Sequence, residues 1–157
     1  MNRGIKILVA LFGGVLTCGL LSVCLYGLVL ATSDNPTIYL FWLNFAYLLS
    51  LPYIFLNSFL EEGFKLLFLK WSKLSSGILF GLSYGITEII IRNWSFGNPL
   101  IQFIPLKDFS FILHILTASI LVYSIKKKKA VWGFLIAILI HTLWNYKIML
   151  FQLGLAL

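Results

Sequence analysis

Acidic residues are scarce in this chain: 5 Asp and Glu stand against 12 Lys and Arg among 157 residues, and charged residues of both signs make up 11%. Hydrophobic residues reach 61%. So little charge leaves no polar stretch from which to build a separate soluble domain, and residues 1–157 read as one integral-membrane domain. Cysteine is scarce too. Cys18 and Cys24 sit six residues apart in the first apolar stretch, about 240° around a helix at roughly 100° per residue, so they do not bridge and read as lipid-facing or packing thiols. Strict apolar/polar alternation is missing, and the apolar runs are too long for barrel strands, which excludes a membrane barrel and leaves helices. There is no repeat, no low-complexity linker and no domain boundary.

The expected fold class is therefore all-α, a polytopic transmembrane helix bundle of about six helices, with five as the alternative. The spans fall at 5–31, 38–56, 59–73, 75–92, 109–125 and 130–150, with turns at Ser33-Asp34-Asn35-Pro36, at Asn57-Ser58 and across Asn93 to Lys107. Arg3 and Lys6 ahead of the first run resemble a secretory signal, but the run is too long for a signal core and reads as a retained helix. The net charge of +7 does not imply nucleic acid. Lys126 to Lys129 form a single run between two apolar stretches, the mark of a cytoplasmic anchor in a multi-pass protein of the cytoplasmic membrane.

The stretch 38–70 reads either as one helix bent at Pro52 or as two helices meeting at Asn57-Ser58. One helix would run roughly 48 Å at about 1.5 Å per residue, well beyond a hydrocarbon core of about 30 Å. Ser58 followed by Glu61 has the spacing of a capping box, which favours the break. Counting from Lys73 and Lys129, Glu88 and His141 lie at one depth, His114 lies near it, and a break at 57 brings Glu61 and Glu62 to the same level. Six spans leave Arg3 and Lys6 outside, against the positive-inside rule that five spans would satisfy; the shared depth favours six.

Ionisable residues inside a membrane are costly and mark function. Glu61 and Lys65 are one helical turn apart, so the ammonium can hold a carboxylate on that face anionic, as a general base requires. His141 and Asn145 share that spacing and present two donors for a developing oxyanion. Gly77, Gly81 and Gly85 allow close helix approach, expected to bring Glu88 against the two glutamates, and His114 adds a second imidazole. Such a set can bind and activate water, with or without a divalent metal such as zinc held by Glu61, Glu88, His114 and His141. Each residue also has a structural reading: Glu61 as a cap, Lys65 and Lys70 as snorkelling cations, the histidines as interhelical hydrogen-bonders. Trp71, Trp94, Trp144, Tyr84, Tyr123 and Tyr146 read as interfacial or packing aromatics, and Arg92, Lys107 and Asp108 as loop charges.

These pieces resemble the membrane-embedded proteases of the PrsW type, in the superfamily that includes the CAAX-processing and YhfC-type membrane proteases. Phe59-Leu60-Glu61-Glu62-Gly63-Phe64-Lys65 is similar to the EExxK motif, and the helix ending Tyr84-Gly85-Ile86-Thr87-Glu88 to the second motif. His114-Ile115-Leu116-Thr117-Ala118 and His141-Thr142-Leu143-Trp144-Asn145 are similar to the third and fourth, so residues 57–150 carry the resemblance. It implies hydrolysis of a peptide bond in membrane-anchored protein substrates. Carried over, Glu61 is the base that activates water, Glu62 its partner and Lys65 the pairing cation. Glu88 shares the water, His141 and Asn145 hold the oxyanion, and His114 completes the polar ring. Asn145 stands where PrsW proteins often have aspartate, and Lys65 sits one position closer than the arginine of the CAAX branch, so subfamily and metal requirement stay open. The expected activity is an intramembrane endopeptidase. A non-catalytic binding or immunity protein and a small proton-linked transporter are the alternatives.

Overall fold

The computed structural model describes residues 2–33, 50–72, 77–95 and 110–152. All regular structure among them is helical: α1 (Arg3–Ser33), α2 (Ser50–Ser72), α3 (Ile78–Ser95), α4 (Ser110–Lys126) and α5 (Ala130–Gln152). Two stretches, Arg3–Cys24 with mean hydropathy 2.4 and Ala130–Ile148 with 1.3, are long and apolar enough to cross a membrane. Some hydroxyls inside the helices are satisfied locally, Thr17 donating to the Gly13 carbonyl at 2.6 Å and Ser124 to that of Ile120 at 2.7 Å.

The break expected at Asn57-Ser58 does not exist, because α2 runs through it. Each backbone N–H near Ser58 has a carbonyl four residues back, so no orphan donor remains for a capping box. Glu61 turns instead to Asn57, whose Nδ2 donates to Glu61 Oε1 at 2.7 Å, and Ser58 is fully buried. Pro52 falls in the first turn of α2, where a missing N–H removes no intrahelical bond. Of the helix expected over 38–56, residues 50–56 belong to α2 and 38–49 lie outside the described residues, as do Lys73, Lys107 and Asp108. Nor does the unbroken helix strand the glutamates at another level. Glu61 lies 11 residues before the end of α2 at Ser72 and His141 11 residues after the start of α5 at Ala130, so at about 1.5 Å per residue both sit roughly 17 Å from those helix ends without any break.

The helices close into a ring in the order α1, α3, α4, α5, α2, with α2 also touching α4. Close approach at small residues makes this possible. A Cβ at Gly81 would overlap the His114 carbonyl, one at Gly77 the Ala118 backbone and one at Gly85 the Phe111 backbone. The glycine stripe of α3 therefore meets α4, not the helix carrying Glu61 and Glu62 as expected from sequence. Gly14 in α1 likewise lies against Phe80 and Ser83 of α3.

The tight α4–α5 connection is built from the basic run. Lys129 N donates to the Ser124 carbonyl at 2.8 Å and Lys128 N to that of Ile125 at 3.1 Å, while Lys128 has φ 58°. That pair of bonds around a left-handed residue is a Schellman motif, with lysine at the position glycine prefers. All four lysines are exposed.

Charged side chains are buried beside the apolar core while many large apolar side chains face outward. Glu61, Glu62, Lys65, Glu88, His114 and His141 are buried. Phe12, Leu67, Trp71, Val131 and Trp132 face outward, Trp71 at 79% exposure. Charged residues are almost never fully buried unless paired, and large exposed apolar patches are uncommon on water-soluble monomers.

Candidate functional site

One turn of α2 supplies three of the buried groups, and the ring of helices brings the rest to them. Lys65 Nζ donates to Glu62 Oε1 at 2.6 Å and to Thr117 Oγ1 at 3.4 Å, and lies 2.7 Å from His114 Nδ1. The cation thus pairs with Glu62, three residues back, instead of Glu61, four back; both positions adjoin it on a helix, and Glu61 is engaged elsewhere. An ammonium has three N–H donors and no acceptor, so these contacts use all three and require an unprotonated Nδ1 on His114. Its proton then sits on Nε2, which lies 2.6 Å from Glu88 Oε2. His114 is a neutral bridge from α2 to α3.

His141 meets both glutamates. Its Nδ1 is 2.7 Å from Glu62 Oε1, and its Nε2 is 3.6 Å from Glu61 Oε2. With Glu62 accepting at Nδ1, the Nε2 lone pair of the neutral ring faces Glu61. Glu62 therefore orients the imidazole, and its second oxygen, Oε2, has no hydrogen-bond partner among the described residues. The result is a nearly closed polar circuit in which Glu61, His141, Glu62, Lys65, His114 and Glu88 follow one another, drawn from α2, α3, α4 and α5.

Glu61 and Glu88 both border a cavity of about 150 Å³ between α1, α2 and α3, partly open to the surface. Two further residues fix Glu61 there: Asn57 holds Oε1, and the Tyr84 hydroxyl donates to Oε2 at 3.4 Å. Tyr84 is buried, its ring 4.8 Å from that of His114 and 4.5 Å beneath the Lys65 ammonium. Sequence reasoning missed these roles. The sequence pattern suggests a turn at Asn57 and an interfacial or packing aromatic at Tyr84, although Tyr84 stands one turn before Glu88 and Asn57 one turn before Glu61, a spacing that contains the signal.

Asn145 lies one turn after His141 and is half-buried; no hydrogen bond joins it to the circuit among the described residues. Of the two cysteines, both free, Cys18 is buried in the cavity wall and Cys24 is exposed. Trp71 and Tyr123 are exposed, as interfacial aromatics would be.

Glu61, His114 and His141 each offer a ligand atom, all within 4.8 Å of one another, the neighbourhood in which a metal ion is held. A catalytic zinc takes three protein ligands at about 2.0–2.2 Å. Glu61 and the His141 Nε2 lone pair suit that task. His114 does not in this arrangement, since Lys65 occupies its lone pair and Glu88 its proton. Within that group of three described residues, the hydrogen-bonded circuit leaves Glu61 and His141 with open ligand atoms; Glu88, the fourth candidate, is not within the group.

Compared with known proteins, the chain matches no family model, no curated protein and no solved structure.

Proposed function

We propose that this chain is a multi-pass protein of the cell membrane, a polytopic bundle whose buried circuit hydrolyses a peptide bond in membrane-anchored protein substrates. The apolar exterior around charged groups supports the membrane setting. The observation that carries the catalytic reading is the pair Glu61 Oε2 and His141 Nε2, two acceptors 3.6 Å apart, with Glu61 at the edge of an open cavity. One water can donate a hydrogen to each.

Glu61 takes a proton from that water as its oxygen bonds to the substrate carbonyl carbon. The same proton passes to the amide nitrogen as the carbon–nitrogen bond breaks, which leaves one acid and one amine and restores Glu61. Glu62 holds the His141 ring in the tautomer that accepts at Nε2. The water's second hydrogen stays on its oxygen and faces the His141 Nε2 lone pair, while the Tyr84 hydroxyl and the Asn145 amide, which carry their own protons, would donate to the developing oxyanion. Lys65 balances Glu62, and His114 fixes Glu88 beside the cavity.

Expression of Glu61→Gln and His141→Ala with tagged single-span membrane proteins tests the reading. Removal of a general base costs about 10²–10⁴-fold in rate, so both variants should leave substrates intact that the parent cuts. Undiminished cleavage by both rejects the mechanism.

A second reading has one observation in its favour. The unbroken chain from His141 through Glu62, Lys65 and His114 to Glu88 is a path along which protons can move, as in a small proton-linked transporter. Proton uptake by reconstituted vesicles that cut no substrate would favour it.

A further inference from the structure

We propose that the cavity between α1, α2 and α3 is a side-chain pocket, and that it selects a flexible side chain of middling size ending in a hydrogen-bond donor, of the lysine or glutamine kind. This rests on the proteolytic reading and names the substrate class of its site. The volume is about 150 Å³. At about 30 Å³ per water molecule it holds roughly five heavy atoms, the number a lysine or glutamine carries beyond Cα and too few for an indole.

Wall chemistry narrows the choice further. Leu21 of α1 and Ile91 of α3 offer apolar surface for a methylene stem. The charged groups on the wall, Glu61 and Glu88, are carboxylates, which only accept hydrogen bonds. Each Glu61 oxygen receives one donor, Asn57 on Oε1 and Tyr84 on Oε2, and a carboxylate oxygen accepts two, so Glu61 keeps capacity for a ligand. An incoming Asp or Glu side chain would face like charge. Cys18 and Ser22 of α1, one helical turn apart, complete the wall, so a helix outside the 57–150 stretch takes part in recognition.

Cys18 is a built-in reporter. In detergent micelles, the full-length Cys24→Ser variant is treated with two methanethiosulfonates of similar size, one bearing an aminoethyl group and one a sulfonatoethyl group. Each rate is divided by the rate at exposed Cys24 in the Cys18→Ser variant. The cationic reagent should modify Cys18 about tenfold faster than the anionic one, and Glu61→Gln should cut that ratio severalfold. Equal rates, a ratio unmoved by Glu61→Gln, or no reaction with either reagent overturns the pocket. Selective labelling of a protein that cleaves nothing keeps the donor-selective pocket and rejects the protease. Cleavage without selective labelling does the reverse.

Discussion

Replacing Lys65 by methionine isolates the energetics of the buried circuit. The side chains are similar in length, and Lys65 and Glu62 are both 0% exposed, so the change removes the ammonium while the space stays filled. What remains is a buried carboxylate that keeps one donor, His141 Nδ1 at 2.7 Å, and whose Oε2 already has no partner among the described residues. Removing one member of a buried pair costs about 3–5 kcal/mol, most of it the penalty of the charge left behind. Lys65→Met should therefore lower the unfolding free energy by about that amount, read by far-ultraviolet circular dichroism as sodium dodecyl sulfate is titrated into mixed micelles. Adding Glu62→Gln removes the stranded charge and should restore about 2 kcal/mol or more, a coupling that a double-mutant cycle measures. A Lys65→Met protein within about 1 kcal/mol of the parent, or a double variant no more stable than the single one, would refute the reasoning.

Ser58→Ala separates an internal serine from a cap: loss of an N-cap costs about 0.5–2 kcal/mol, whereas loss of a buried hydroxyl without a partner among the described residues should leave stability unchanged or raise it by up to about 1 kcal/mol in the same titration. Lys128→Gly should stabilise the chain by roughly 1 kcal/mol, because a Cβ in the left-handed region costs about 1–2 kcal/mol, and a thermal melt in detergent that moves downward would refute that. Tyr84→Phe keeps the ring beneath Lys65 and against His114 and deletes one long hydrogen bond to Glu61. Cleavage should fall about tenfold, equivalent to about 1.4 kcal/mol, with the melting temperature nearly unchanged.

Much of the site was legible because so apolar a chain leaves few ionisable residues to choose from. Glu61, Glu62, Lys65, Glu88, His114 and His141 stand out in the sequence by residue type, depth, helical spacing and motif resemblance, and the folded chain joins all six. Asn145 was also named from sequence and stands outside the hydrogen-bonded circuit among the described residues. Asn57, Tyr84 and Thr117 escaped notice because an amide, a phenol and a hydroxyl are common in turns, interfaces and packing. Only the neighbours they meet distinguish those uses.

Composition and hydrophobic run length determined that the chain is helical and that its few charges belong together, since backbone groups away from water satisfy themselves best within a helix. Tertiary structure decided what local pattern left ambiguous. Ser58 and Glu61 have the same spacing in a helix start and in a helix interior, and it is the folded chain, with α2 packed against α1, α4 and α5, that shows α2 to continue. It also decided which carboxylate Lys65 binds and which helix the glycine stripe of α3 meets. A residue three or four positions away is equally near along one helix, and the partner is set by atoms that arrive from another.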